Sequence, residues 1–266
     1  MLVKENKFSF PSFAAARLID THAHLNFKEF DKDRSQAIKR AFEGGVEKII
    51  NVGTNLKGSK DSVSLAEKYK NILASVSLHP IDVEDEKFDK KVWLELAKHQ
   101  KVVAIGETGF DFFHRSDKEK QKEVFKALIE IACQVEKPLI IHSREADKEI
   151  LDILSHSKLP SKRGVIHCFG RDYNVAKKFL ELGFLISYTG NITYNIERAS
   201  SVLKVPLEKI MVETDCPFMA PLPFRGKRNE PLFVKYVAKE IAKIKNITFE
   251  EAAKITTKNA RKLFGL

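Results

Sequence analysis

Cysteine is scarce in this sequence. The 266 residues hold three, Cys133, Cys168 and Cys216. They are too few and too scattered for a disulfide framework or a Cys-x-x-Cys zinc site, which points to a reducing compartment, by default the cytoplasm. No apolar run approaches the roughly 18 to 20 residues that span a bilayer, so no membrane partner is expected. No Gly-x-Gly-x-x-Gly follows the first apolar run, which removes the nucleotide-binding version of a doubly wound sheet. Linkers, internal repeats and low-complexity tracts are also absent. Lys4 and Lys7 precede a short apolar stretch ending Phe13-Ala14-Ala15-Ala16, but Ser9, Pro11 and Ser12 interrupt it. Residues 1–16 therefore read as an N-terminal arm rather than a secretory signal, and 17–266 as one domain.

What is present is a rhythm. Short runs rich in β-branched residues fall at Leu18 to His22, Lys48 to Val52, Ile72 to Leu78, Val102 to Gly106, Leu139 to His142, Val165 to Cys168, Phe184 to Tyr188 and Ile210 to Glu213. Helical patterns separate them; in Gln121 to Ala132, Val124, Phe125, Leu128 and Ile131 recur on one face. Strands that are near-continuous Val/Ile/Leu runs, each followed by a helix, imply a parallel sheet covered by helices. Eight such units fit an α/β fold of the single TIM-type (β/α)8 barrel kind, for which about 250 residues is typical. An open doubly wound sheet is the alternative. Pro231 suits the first turn of a helix striped by Val234, Val237, Ala238 and Ile241, and Thr248 with Glu251 forms a capping box for the last helix.

Chemistry concentrates where strands end. Asp20-Thr21-His22-Ala23-His24 closes the first, and residues two apart on an extended segment point to one side, so both imidazoles can reach one metal. Glu107 ends the fourth strand, His142 the fifth, His167 the sixth, and Asp215 follows the eighth. Taken singly, His142 or His167 would be a hydrogen-bonded core histidine and Glu107 a paired carboxylate. Together, such groups converging on one rim would be mutually compensated by cations. In parallel barrels, ligands gather at that C-terminal rim.

Six candidates, His22, His24, Glu107, His142, His167 and Asp215, exceed what one tetrahedral metal needs. They suit two divalent ions with Glu107 bridging and Asp215 handling the proton of an attacking water. His79 could face the same mouth, though it also fits a structural turn before Pro80. Arg144, Arg225 and Arg228 suit phosphate, with a rim salt bridge as the other reading of Arg228. Glu213 could orient a histidine ligand.

These residues resemble the TatD family of metal-dependent deoxyribonucleases, a branch of the amidohydrolase-like barrels, over about Leu18 to the C-terminus. The markers are Ile19-Asp20-Thr21-His22-Ala23-His24-Leu25, Ala104-Ile105-Gly106-Glu107, Pro138-Leu139-Ile140-Ile141-His142-Ser143-Arg144, His167-Cys168-Phe169, Glu213-Thr214-Asp215-Cys216-Pro217 and Arg225-Gly226-Lys227-Arg228-Asn229-Glu230-Pro231. The resemblance implies a DNase with two divalent metal ions (Mg, Mn or Zn), His22, His24 and Asp215 on one, His142 and His167 on the other, and Glu107 shared. Departures include Ser77 where glycine is usual, Phe110 for leucine, no small polar residue before Gly170, and Phe224 for histidine; none removes a ligand.

Charge is compatible with a DNA substrate: 46 Lys plus Arg against 36 Asp plus Glu give a formal +10, although much of the excess lies on helix faces such as Lys118 to Lys126. Two other readings stand beside DNA hydrolysis. One is hydrolysis of a small ester, amide or cyclic amide; the other is a metal-stabilised nucleic-acid-binding protein without turnover. The sequence leaves the oligomeric state open, and a monomer is compatible with all three.

Overall fold

The computed structural model describes residues 17–114 and 116–266; the arm expected over 1–16 lies outside the described residues. Strands and helices alternate: β1 (Leu18–Ala23), α1 (Arg34–Glu43), β2 (Val46–Val52), α2 (Leu56–Lys68), β3 (Ile72–Val76), α3 (Lys90–Ala97), β4 (Val102–Asp111), α4 (Lys118–Val135), β5 (Leu139–Arg144), α5 (Asp147–His156), β6 (Gly164–Ile166), α6 (Tyr173–Glu181), β7 (Leu185–Tyr188), α7 (Ile196–Lys204), β8 (Ile210–Val212), α8 (Val234–Lys245) and α9 (Phe249–Phe264). The eight strands lie in chain order in one parallel sheet. The sheet curls back on itself through a bridge between Ala23 and Cys216. There the His24 N–H donates to Cys216 O and the Asp215 N–H to His22 O, both at 2.8 Å. The expected TIM-type barrel is the fold, and among the described residues no helix is long and apolar enough to cross a membrane.

Local chemistry sets the helix starts. Asn55, Asp89, Asp117, Asp172, Asn195 and Thr248 each accept a backbone N–H of the first turn of the helix that follows, a contribution of about 1 kcal/mol per cap. Thr248 accepts from the Glu251 N–H, as the capping box requires. Pro231 opens a 3-10 turn, Pro231–Phe233, that runs into α8.

Strand alternation divides the core in two. Leu18, Ile49, Ile105, Leu139, Ile141, Ile166 and Ile210 belong to the layer shared with the surrounding helices. Ile19, Ile50, Ala104, Ile140, Val165 and Met211 fill the barrel interior, which Ala260, Leu263 and Phe264 of α9 pack against. Apolar packing thus fills the interior below the level where the polar residues begin.

Two phase slips turn the ligands inward. Ile19 faces the interior, so strict alternation would place His22, three residues on, outside; β1 shifts register between Asp20 and Ala23 and brings His22 and His24 to the inner face. In β4, Ala104 faces inward and Glu107 is again an odd step away, reconciled by a register shift between Ile105 and Thr108. Bulges that re-aim a side chain are frequent beside active sites. Gly109 is required at its position: a Cβ there would meet His142 O at 2.1 Å, with φ at +141°, so β4 passes β5 closely where His142 enters the mouth.

Candidate metal centre at the barrel mouth

His22, His24, Glu107, His142, His167 and Asp215 converge at the C-terminal end of the barrel, and the two oxygens of Glu107 face different sets of nitrogens. On the first side, His22 Nε2 lies 3.1 Å from His24 Nε2 and 3.2 Å from Glu107 Oε2. Asp215 Oδ1 is 3.4 Å from His24 Nε2 and 3.8 Å from His22 Nε2, and His24 Nε2 is 3.8 Å from Glu107 Oε2. Ligands held about 2.0 to 2.2 Å from a tetrahedral cation stand roughly 3.3 to 3.6 Å apart. His22 Nε2, His24 Nε2 and Glu107 Oε2 therefore lie near the spacing of one coordination shell, and Asp215 Oδ1 flanks the two imidazoles.

On the second side, Glu107 Oε1 is 2.6 Å from both His142 Nδ1 and His167 Nε2; these nitrogens are 3.4 Å apart. Two imidazole lone pairs cannot approach one carboxylate oxygen so closely without positive charge between them, supplied by a proton or a cation. Nitrogen and carboxylate donors of this kind fit a divalent metal.

Hydrogen bonds behind the rings fix which nitrogen is free. His24 Nδ1–H donates to Val52 O at 2.9 Å, leaving the Nε2 lone pair for the cluster. His142 Nε2–H donates to Asp111 Oδ2 at 3.1 Å, leaving Nδ1. His167 Nδ1 lies 3.3 Å from Glu213 Oε1, within ion-pair reach but off hydrogen-bond alignment. His22 Nδ1 is buried without a hydrogen-bond partner, so packing orients that ring: it stacks on His167 with centroids 4.2 Å apart. Outer partners of this sort set tautomer and orientation in metal sites.

His79 has the opposite polarity. Its Nδ1 accepts from the Ile81 N–H at 3.2 Å, so in the neutral ring Nε2 carries the hydrogen, 3.3 Å from Glu107 Oε1. Burial, opposed by the charge of Glu107, holds His79 below the usual histidine pKa and keeps it neutral. In this tautomer it donates into the mouth; a ligand role, for which its place beside Glu107 and His142 has the spacing, would need the proton on Nδ1 and the loss of the Ile81 bond.

The electrostatics are those of a cation site. Burial disfavours the Glu107 anion, yet His167, His79 and His22 outweigh it and hold the carboxyl well below the usual range. Asp215 is likewise depressed: burial raises it, and hydrogen bonding to His24 with the charges of His22 and His167 more than compensates. Burial also disfavours protonated His24, His142 and His167, but adjoining carboxylates raise all three, His167 most. For His22, as for His79, burial wins, here helped by repulsion from His167. Asp215 adopts φ of +55°, a left-handed conformation costing of order 1 to 3 kcal/mol that structures tolerate where a side chain must be aimed.

Comparison with known proteins places the architecture. A family model described as TatD related DNase matches residues 19–265. The chain belongs to the TatD-related DNase family. It is 43% identical over 251 residues to the uncharacterized metal-dependent hydrolase YabD of Bacillus subtilis, covering 93% of this chain and 98% of that protein. Identity to the uncharacterized metal-dependent hydrolase YcfH of Escherichia coli K12 is 37% over 253 residues, 93% and 95% of the two chains. The crystal structure of the TatD homolog YjjV from Escherichia coli superposes with a TM-score of 0.85 at 32% identity, covering 95% of this chain and 99% of that one.

Around the centre of this TatD-family barrel, the predicted arginines part ways. Arg144 is exposed, its guanidinium 3.9 Å from the Phe113 ring, and Arg225 is exposed, 4.4 Å from the Tyr194 ring. Arg228 grips Asp33 with two hydrogen bonds of 2.6 and 2.8 Å and donates to Glu29 O. That pairing ties the loop after β8 to the segment before α1 and depresses Asp33 to about 2, chiefly through the Arg228 hydrogen bond. Glu213 lies behind His167 and accepts from the Cys168 N–H and Ser187 Oγ.

Asp111 is the residue that sequence reasoning missed in this TatD-family mouth. Its Oδ2 faces both His142 Nε2 and His114 Nδ1, while Oδ1 accepts the Phe113 and His114 N–H groups. A usable signal existed: Glu107, Gly109 and Asp111 alternate, so extending β4 past Gly106 places Asp111 on the face of Glu107.

Proposed function

We propose that this chain is a divalent-metal-dependent hydrolase that cleaves DNA phosphodiester bonds. One observation carries the reading: the two carboxylate oxygens of Glu107 face separate nitrogen pairs, Oε2 towards His22 and His24, which Asp215 flanks, and Oε1 towards His142 and His167. This is the arrangement a carboxylate shared between two cations requires, with Mg, Mn or Zn as the candidate ions. When bound, such a pair supplies Lewis-acid polarisation of a phosphoryl oxygen and lowers the pKa of water.

The protein residues divide the remaining work. Asp215, kept anionic by His24, accepts the proton of the attacking water. His79 directs Nε2–H toward a substrate oxygen, a neutral donor that does not compete for the cations. Arg144 and Arg225, which form no ion pair among the described residues, are available to phosphates, and the formal +10 charge favours a polyanion. Arg228, engaged with Asp33, holds the rim together. The three scattered cysteines suit a cytoplasmic setting.

The test is reconstitution. Chelated protein supplied separately with Mg²⁺, Mn²⁺ and Zn²⁺ is expected to regain DNA cleavage with at least one ion, and Glu107→Gln and Asp215→Asn to abolish it. Nuclease activity retained in both variants overturns the assignment. A parallel panel of small esters, amides and cyclic amides identifies the other hydrolase reading if only those are turned over, and metal-dependent melting without any turnover identifies a binding protein.

A further inference from the structure

Thr214 stands directly before Asp215, and its three polar groups are each held by a buried side chain. The N–H donates to Asp20 Oδ1 at 2.8 Å and the hydroxyl to Asp20 Oδ2 at 2.6 Å. The carbonyl accepts from Asn229 Nδ2 at 2.8 Å. Asp20, Thr214 and Asn229 are all closed off from solvent, so no water replaces a partner that is lost.

Asn229 also closes the far end of the turn. The same Nδ2 donates to Phe218 O at 2.6 Å, Oδ1 accepts the Glu230 N–H at 2.9 Å, and the Asn229 N–H donates to Pro217 O at 3.0 Å. These partners fix the amide orientation, since the reversed amide would aim its oxygen at two carbonyls. The residues on either side anchor it from outside: Arg228 pairs with Asp33, and Glu230 Oε2 lies 2.9 Å from the Arg40 guanidinium. Three consecutive residues of the loop after β8 thus tie the α1 region to the turn that carries Asp215.

Within that turn Asp215 holds a left-handed φ of +55°. A residue other than glycine keeps such a conformation only where its surroundings over-determine it. Here the Asp215 N–H donates to His22 O and its carbonyl accepts the Phe218 N–H, while Asp20 and Asn229 hold Thr214 before it. The result aims Oδ1 at His24 Nε2, 3.4 Å away. On the other side of the centre, His142 is backed by Asp111 and His167 by Glu213, which are separate supports.

We propose that Asp20 and Asn229 are positioning residues that clamp Thr214 from two sides and so set the aim of Asp215. The clamp serves the His22–His24 side of the centre and the proton step assigned to Asp215. The proton step rests on the proposed DNA hydrolysis; the effect on metal binding does not.

The experiment is a Mn²⁺ titration against a competing chelator, with anomalous scattering assigning each binding step to its side of Glu107. Wild type is compared with Asn229→Ala, Thr214→Val and Thr214→Ser. Asn229→Ala removes both donated bonds without adding charge, and Thr214→Val loses the hydroxyl that Thr214→Ser keeps. Asn229→Ala and Thr214→Val are each expected to weaken the His24-side step by about 10- to 100-fold, with the His142-side step unchanged and Thr214→Ser matching wild type. On DNA, kcat is expected to fall in the same two variants at unchanged KM. Melting curves verify folding, and if Asn229→Ala does not fold the Val and Ser pair decides. Equal weakening at both steps, no weakening at either, or Thr214→Ser as impaired as Thr214→Val overturns the clamp. Weakening confined to the His24 side, without DNA cleavage by wild type, would leave the clamp standing and sink the hydrolase reading. DNA cleavage with wild-type metal affinity in every variant would do the reverse.

Discussion

The Ile81 N–H donates to Nδ1 of His79 across 3.2 Å. That bond forces the proton of the neutral ring onto Nε2, the nitrogen facing Glu107, and separates His79 from the histidines whose free lone pairs face the centre. Histidines at one rim thus acquire different chemistry from the group behind each ring.

His79→Ala is accordingly expected to lower kcat by about 10²-fold, the scale of losing one positioned donor, while metal content stays that of wild type. His142→Ala is expected to lose metal. Elemental analysis beside steady-state kinetics separates the two, and metal loss in His79→Ala would show that the ring ligates after all.

Asp111 acts through His142. Asp111→Asn preserves shape but removes the charge that fixes the ring with Nδ1 free, and outer partners of this kind are worth about 10- to 100-fold in metal affinity. A chelator-competition titration should show a loss of that size at one binding step and little change at the other. Equal affinity in variant and wild type would reduce Asp111 to a loop-fixing role through Phe113 and His114.

Protons and metal compete for the same lone pairs. His24, His142 and His167 are all raised above the ordinary 6.5 by neighbouring carboxylates, so each stays protonated to higher pH than a free histidine. In chelated protein a raised pKa contributes stability that is full below 6.5 and is lost as pH rises through the folded value. Metal binding needs the deprotonated rings and strengthens over that same interval. The Tm gap between metal-loaded and chelated protein should therefore widen from about pH 6 to about pH 8; scanning calorimetry showing it constant or narrowing would contradict the ligand assignment.

Much of this was legible in the sequence, because burial on both faces leaves parallel strands as apolar runs and the ligands sit where those runs stop. The His-x-His of β1 and the histidines after Ile141 and Ile166 could be read that way. Asp111 was easier to miss, since Gly106 looks like the end of a strand and only the alternation of Glu107, Gly109 and Asp111 marks that the chain continues, through Gly109, whose missing Cβ admits the His142 carbonyl. The inward turns of His22 and Glu107 depend on register shifts, and alternation alone carries no record of a bulge. Nor does local pattern reveal that Arg228 finds Asp33, 195 positions away, or that a backbone N–H sets the tautomer of His79.

The most direct test of the central claim is a metal count by anomalous scattering and elemental analysis on protein reconstituted with Mn²⁺ or Zn²⁺. Two ions per chain are expected, one on each side of the Glu107 carboxylate, with Glu107→Gln retaining at most one. A single ion, or two ions that persist in Glu107→Gln, would contradict a shared carboxylate and the chemistry built on it.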